Sequence, residues 1–149
     1  MASGALFIMV LVDTTVWIDF FSGRSLTHVK VLEDFLINRE DLCICGIILT
    51  EVLQGIRKDS EFEKTRYLFN NMIFLPMHYS TFLRSAEIYR SLRQKGITIR
   101  KPVDCMIASV AIENEIPLLD NDKDFDPIEN HFGMRRISKV KHPTSPGVR

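Results

Sequence analysis

The sequence lacks the features that would announce several common functions outright. It has no excess of either charge: lysine plus arginine and aspartate plus glutamate each total 19, so the formal net charge is zero. A nucleic-acid partner therefore cannot be argued from bulk electrostatics and would have to rest on a local patch. Cysteine is scarce. Cys43, Cys45 and Cys105 follow no framework spacing, which excludes a disulfide scaffold and fits reduced thiols in the cytoplasm. No second Cys or His pair completes a zinc site around Cys43 and Cys45, so a buried apolar role is expected of them. A phosphate-cradling G-x-x-x-x-G-K loop is missing. The apolar stretch Leu6–Val12 is too short to cross a bilayer and has no basic segment ahead of it, so neither a membrane helix nor a secretion signal is expected. The four histidines, His28, His78, His131 and His142, have no neighbour suggesting a nucleophile–base pair and read as surface or core residues.

What is present is globular. A chain of 149 residues, 46% hydrophobic and 26% charged, can bury a core of its own. Leu6–Val12 reads as a strand buried on both faces, ending in Asp13. A short helical turn around Trp17–Phe20 follows, then a helix from Thr27 to Ile37, a strand at Leu42–Cys45 and a helix from Gly46 to Gly55. Further helices are expected at Ser60–Asn71, Ser80–Gln94 and Pro102–Glu115, with short strands at Ile73–Leu75, Pro117–Leu119 and Met134–Ile137. Strands alternating with helices predict an α/β fold, a three-layer α/β/α sandwich on a mainly parallel sheet. Residues 1–140 form one expected domain, and 141–149 a flexible tail.

Against that background four acids stand out: Asp13, Glu51, Asp104 and Asp122. Each lies in or beside an apolar run near the end of an element, where an unpaired carboxylate is costly. Ligands of parallel α/β sheets bind beyond the carboxyl ends of the strands, and Asp13 and Asp122 fall there. Asp104 falls in the first turn of its helix, where the dipole favours a negative charge. Four carboxylates sharing one cleft would repel unless a doubly positive ion sat between them, which points to a divalent metal and to phosphate chemistry. Asp120, Asp122 and Asp124 alternate as in a calcium loop. However, Phe125 stands where that loop requires Gly, and His131 where it requires Glu.

The residues V-D-T-T-V-W-I-D at 12–19, L-T-E-V-L-Q-G at 49–55, V-D-C-M-I-A at 103–108 and L-L-D-N-D-K-D-F at 118–125 together resemble a PIN domain, and specifically a VapC-type ribonuclease toxin. The ordered set spans nearly the whole chain. The resemblance implies that Asp13, Glu51, Asp104 and Asp122 bind Mg²⁺ or Mn²⁺ and cleave RNA, with Thr14 or Thr15 supporting through a hydroxyl. Asp120 stands where the family usually has Ser or Thr, so Asp120, Asp122 and Asp124 all remain open as the fourth ligand. Gly46 stands where Ser is common. Hard carboxylate oxygens suit Mg²⁺ or Mn²⁺, which would support in-line hydrolysis with one ion or two.

The resemblance also implies a structured RNA substrate such as tRNA or rRNA, a cognate antitoxin protein, and a homodimer or a hetero-oligomer with the antitoxin. The helices at 25–38 and 47–71 carry the candidate groove for such a partner. Trp17, Phe20, Phe21 and Arg24 are candidates to stack on RNA, although Trp17 also suits the core. Basic patches could form from Arg93, Lys95, Arg100 and Lys101, or from Arg135, Arg136, Lys139 and Lys141. The rival reading is a non-catalytic PIN-like module that binds RNA or protein. A phosphoaspartyl enzyme is disfavoured because Asp13 is followed by Thr14-Thr15 rather than by the D-x-D general acid.

Overall fold

The computed structural model describes residues 9–137. The start of the first expected strand, residues 138–140 and the expected tail at 141–149 lie outside the described residues. In chain order the elements are β1 (Met9–Val12), α1 (Thr14–Phe21), α2 (Thr27–Ile37), β2 (Asp41–Cys45), α3 (Gly46–Gln54) and α4 (Asp59–Asn70). They continue with β3 (Ile73–Leu75), α5 (Tyr79–Gln94), α6 (Pro102–Glu113), β4 (Leu118–Leu119), a 3-10 turn at Lys123–Phe125 and α7 (Asp126–Phe132).

The strands form one sheet in the order β3-β2-β1-β4, and every pairing is parallel. Val10 pairs with Leu42, and Leu11 faces both Cys43 and Leu118. Side chains alternate across a strand, yet Val10, Leu11 and Val12 are all fully buried. Both faces of the sheet are therefore covered, which requires helices on each side and gives the expected three-layer sandwich. Parallel strands also place all their carboxyl ends on one side. There the Asp13 amide donates to the Leu119 carbonyl at 2.9 Å, so the residues following β1 and β4 emerge together.

Local chemistry sets where the helices begin and end. Asp13 caps α1 by accepting from the Thr15 amide. Pro102 opens α6, a position that needs no amide hydrogen. Gly96, at φ +83°, closes α5 in the left-handed conformation, and Ile97 donates back to the Leu92 carbonyl at 2.9 Å. Thr81 then joins α5 to α6: its hydroxyl accepts from the His78 amide at 3.0 Å and donates to Glu113 Oε1 at 2.6 Å.

Trp17 is fully buried, stacked against Phe21 and edge-on to Phe20 and Phe69. It belongs to the core and is not a platform for a base. All three cysteines are buried and free, and burial lifts the thiols of Cys43 and Cys105 to about 11, as inert core residues should be. No helix among the described residues is long and apolar enough to cross a membrane.

The C-terminal region departs from the sequence expectation. In place of a strand at Met134–Ile137 there is a single parallel bridge between Arg136 and Leu118. With β4 only two residues long, its free edge offers room for little more. The helix α7 is also additional. Its seven residues are too few to show a helical period, and Gly133 stops it at φ +70°.

The packing yields a stability prediction. Leu11→Ala opens a cavity in the central strand and should cost about 2–5 kcal/mol by urea denaturation. A loss near zero would mean that β1 is not at the centre of the core.

Candidate active site

The carboxyl ends of β1 and β4 and the first turn of α6 meet at an acidic cluster. Asp104, at the third position of α6, is 3% exposed, and its Oδ2 is buried with no hydrogen-bond partner. Oxygens of Asp104, Asp122 and Asp124 all lie within 4.8 Å of one another, a spacing that one cation could bridge. Burial chiefly raises the Asp104 carboxyl to about 7; Lys101 opposes this, while Asp13, Asp122 and Asp124 add to it.

Asp13 is 2% exposed, and its Oδ2 accepts from the Thr15 hydroxyl at 2.6 Å and the Thr15 amide at 3.1 Å. Burial outweighs those bonds, and with a contribution from Asp120 it lifts Asp13 to about 6. Thr14 faces the other way, and its hydroxyl donates to Glu51 Oε1 at 2.6 Å. Two adjacent threonines thus fix two acids from different elements. The sequence offered either as a supporting hydroxyl, and each hydroxyl bonds to one of the singled-out acids.

The three aspartates of the loop after β4 differ sharply. Asp120 is fully buried and receives both nitrogens of the Arg136 fork, Nε at 2.9 Å and Nη2 at 2.7 Å. Asp122 turns one oxygen to the Asp124 amide and the other to Lys101 Nζ, both at 2.9 Å. Burial pulls the Asp122 carboxyl upward, but the Asp124 amide and Lys101 together carry it below its ordinary value. Asp124 is held by Arg100, with Nε 3.0 Å from Oδ2.

Arg136 also meets Asp126 at 2.5 Å, Glu129 at 3.1 Å and the Asp122 carbonyl. It is 5% exposed, so it belongs to no surface patch for RNA, contrary to one sequence reading. Burial opposes its charge, but Asp120 and Asp126 prevail and raise its pKa. A further buried acid, Asp19, joins His28 at 2.7 Å and Arg24 at 3.4 Å, and so ties α1 to α2.

Sequence reasoning placed Arg100 and Lys101 in a basic patch and did not pair them with the acids. The i to i+3 spacing of Lys101 and Asp104 was a readable signal. The Asp120–Arg136 pair left none, because sixteen residues separate the partners.

A parallel α/β sandwich with carboxylates gathered at the strand ends is the arrangement of the PIN domain. The PIN domain family model matches residues 10–130, and the chain belongs to that family. It is 31% identical over 132 residues to ribonuclease VapC11 of Mycobacterium tuberculosis, covering 87% of this chain and 98% of that protein. Among solved structures it resembles VapBC2 from Rickettsia felis bound to a promoter DNA fragment (19% identity, TM-score 0.67, 87% of this chain and 97% of that one). It also resembles the sarcin-ricin loop cleaving toxin VapC20 of Mycobacterium tuberculosis (14% identity, TM-score 0.58, 80% and 94%).

Two predictions follow from the charges. Arg136→Met strands Asp120 in the interior and should cost about 3–5 kcal/mol in chemical denaturation, with partial recovery in the Asp120→Asn/Arg136→Met double variant. Asp13 and Asp104 are raised from 3.8 to about 6 and about 7, so the folded state holds their protons more tightly than the unfolded chain does. Metal-free stability from these two groups is then fullest below the unfolded value and falls as pH rises through about 4 to 7. Urea titrations at pH 5 and pH 8 should show a smaller pH-dependent loss in Asp104→Asn than in the wild type.

Proposed function

We propose that this PIN domain is a divalent-metal-dependent ribonuclease, the toxin of a toxin–antitoxin pair, using Mg²⁺ or Mn²⁺ and working in the cytoplasm on a structured RNA such as tRNA or rRNA. The observation that carries this reading is the buried Asp104, whose Oδ2 accepts no hydrogen bond and which has an oxygen within 4.8 Å of oxygens from Asp122 and Asp124. An unsatisfied buried oxygen beside two further carboxylates fits a hard cation.

Asp104, Asp122 and Asp124 would hold the ion, and Asp13 and Glu51 would complete the acidic wall. When bound, the ion supplies Lewis acidity at the phosphodiester and activates a water for in-line hydrolysis. Thr15 keeps the Asp13 carboxylate in one rotamer, and Thr14 does the same for Glu51. Asp120 would act at one remove by bracing the loop through Arg136, leaving Asp122 and Asp124 as the ligands from that loop. The proposed domain, residues 1–140, includes the family match at 10–130.

Substrate and partner follow the relatives. The solved relative that cleaves the sarcin-ricin loop supports a ribosomal RNA target, and VapBC2 supports pairing with an antitoxin. For the antitoxin, the favoured seat is the cleft beside the ends of α2 and α4, lined by Leu36, Leu42, Leu68, Met72 and Ile73. For a homodimer, Tyr79, Phe82 and Leu83 of α5 are exposed apolar candidates.

Asp13→Asn and Asp104→Asn should each lower cleavage of total RNA by more than the roughly 10–100-fold typical of residues that merely orient a ligand. Circular dichroism should show both folds intact. Full activity of both variants with added Mn²⁺ would overturn the site. Absence of both cleavage and Mn²⁺ binding in the wild type would favour the non-catalytic binding module.

A further inference from the structure

We infer that Lys101 is a resident cation of the carboxylate cluster, competing with the divalent ion for the oxygens of Asp122 and Asp104 and thereby setting how tightly the ion binds. The inference rests on the metal reading given above. Lys101 Nζ lies 2.9 Å from Asp122 Oδ2 and 3.9 Å from the orphaned Asp104 Oδ2. Those oxygens belong to two of the three residues whose spacing would suit a cation.

A divalent ion takes carboxylate oxygens at about 2.0–2.6 Å. An ammonium on the same oxygens would then sit only a few ångströms from a doubly positive centre. Like charges that close repel strongly, even near a surface. One cation must yield.

The chain makes Lys101 the one able to yield. It precedes Pro102, which holds it in an extended conformation at φ −117°, so its side chain rises at the mouth of the cluster. The side chain is 48% exposed, whereas the Arg136 side chain on Asp120 is 3% exposed. The Lys101 head can therefore swing into water on a flexible stem, while the Arg136 fork is enclosed by Asp120, Asp126 and Glu129. Arg100, 73% exposed on Asp124, occupies a parallel position one residue earlier. The two outer acids thus carry exchangeable partners, and the innermost loop acid carries a fixed one.

The test is Mn²⁺ calorimetry on the full chain at fixed ionic strength, comparing wild type, Lys101→Met, Lys101→Arg and Lys95→Met. Lys95 is an exposed lysine bonded to Ser91, so its removal makes the same change in net charge away from the cluster. Lys101→Met should bind Mn²⁺ about tenfold more tightly than wild type, with a larger Mn²⁺-induced rise in melting temperature. Lys101→Arg and Lys95→Met should stay close to wild type. Equal affinity of Lys101→Met and wild type overturns the competition while leaving the metal site standing. Weaker binding by Lys101→Met also overturns it, since the lysine would then be holding the acids in place for the ion. If no protein in the series binds Mn²⁺, both the inference and the metal reading fall.

Discussion

Carboxylates brought together at the end of a buried sheet repel one another, and the partner given to each decides what it can do. Burial raises Asp13 and Asp104 because neither receives a full counter-charge. Asp13 has the hydrogen bonds of Thr15, and Asp104 Oδ2 has none. Asp120 has a guanidinium on both oxygens and so becomes part of the scaffold. Asp122 and Asp124 lie between these cases, each with a cation that solvent can reach. The site is therefore graded from fixed to exchangeable charge along only five residues of loop.

That gradient depends on topology as much as on residue type. A parallel sheet delivers β1 and β4 to the same side, and the Asp13–Leu119 backbone bond fixes their relative height. Helix α6 then brings Asp104 to the same mouth with Pro102 at its start, which limits where the first turn can begin. The paired threonines after Asp13 connect β1 to α3 without any long-range backbone pairing. A slip of one residue in α1 would turn the Thr14 hydroxyl away from Glu51 and break that bond.

Much of this was legible in the sequence for physical reasons. A continuous aliphatic run with an acid at its end marks a buried parallel strand, and β1 was found that way, whereas β2 was read as a short apolar strand ahead of Gly46. The long periods of α2, α4 and α5 fixed those helices within a residue or so at either end. Of the four acids singled out, Asp13, Asp104 and Asp122 fall at element ends, while Glu51 lies inside α3. What stayed hidden was pairing at a distance. Nothing in local pattern distinguishes Asp120 from Asp122 or Asp124, because the difference lies in Arg136 across the turn and α7. The helix α7 and the reduced final strand were hidden for a related reason, since both are too short for periodicity to register.

The late position of Arg136 also has a bearing on biosynthesis. A growing chain that has passed Asp124 already carries every carboxylate of the cluster, but not the guanidinium that braces Asp120 and the Asp122 carbonyl. Translation must continue to residue 136, and Leu118 must bridge to it, before the acidic loop is held. The order of synthesis thus places the brace after the acids, so the acidic loop is made before the residue that holds it.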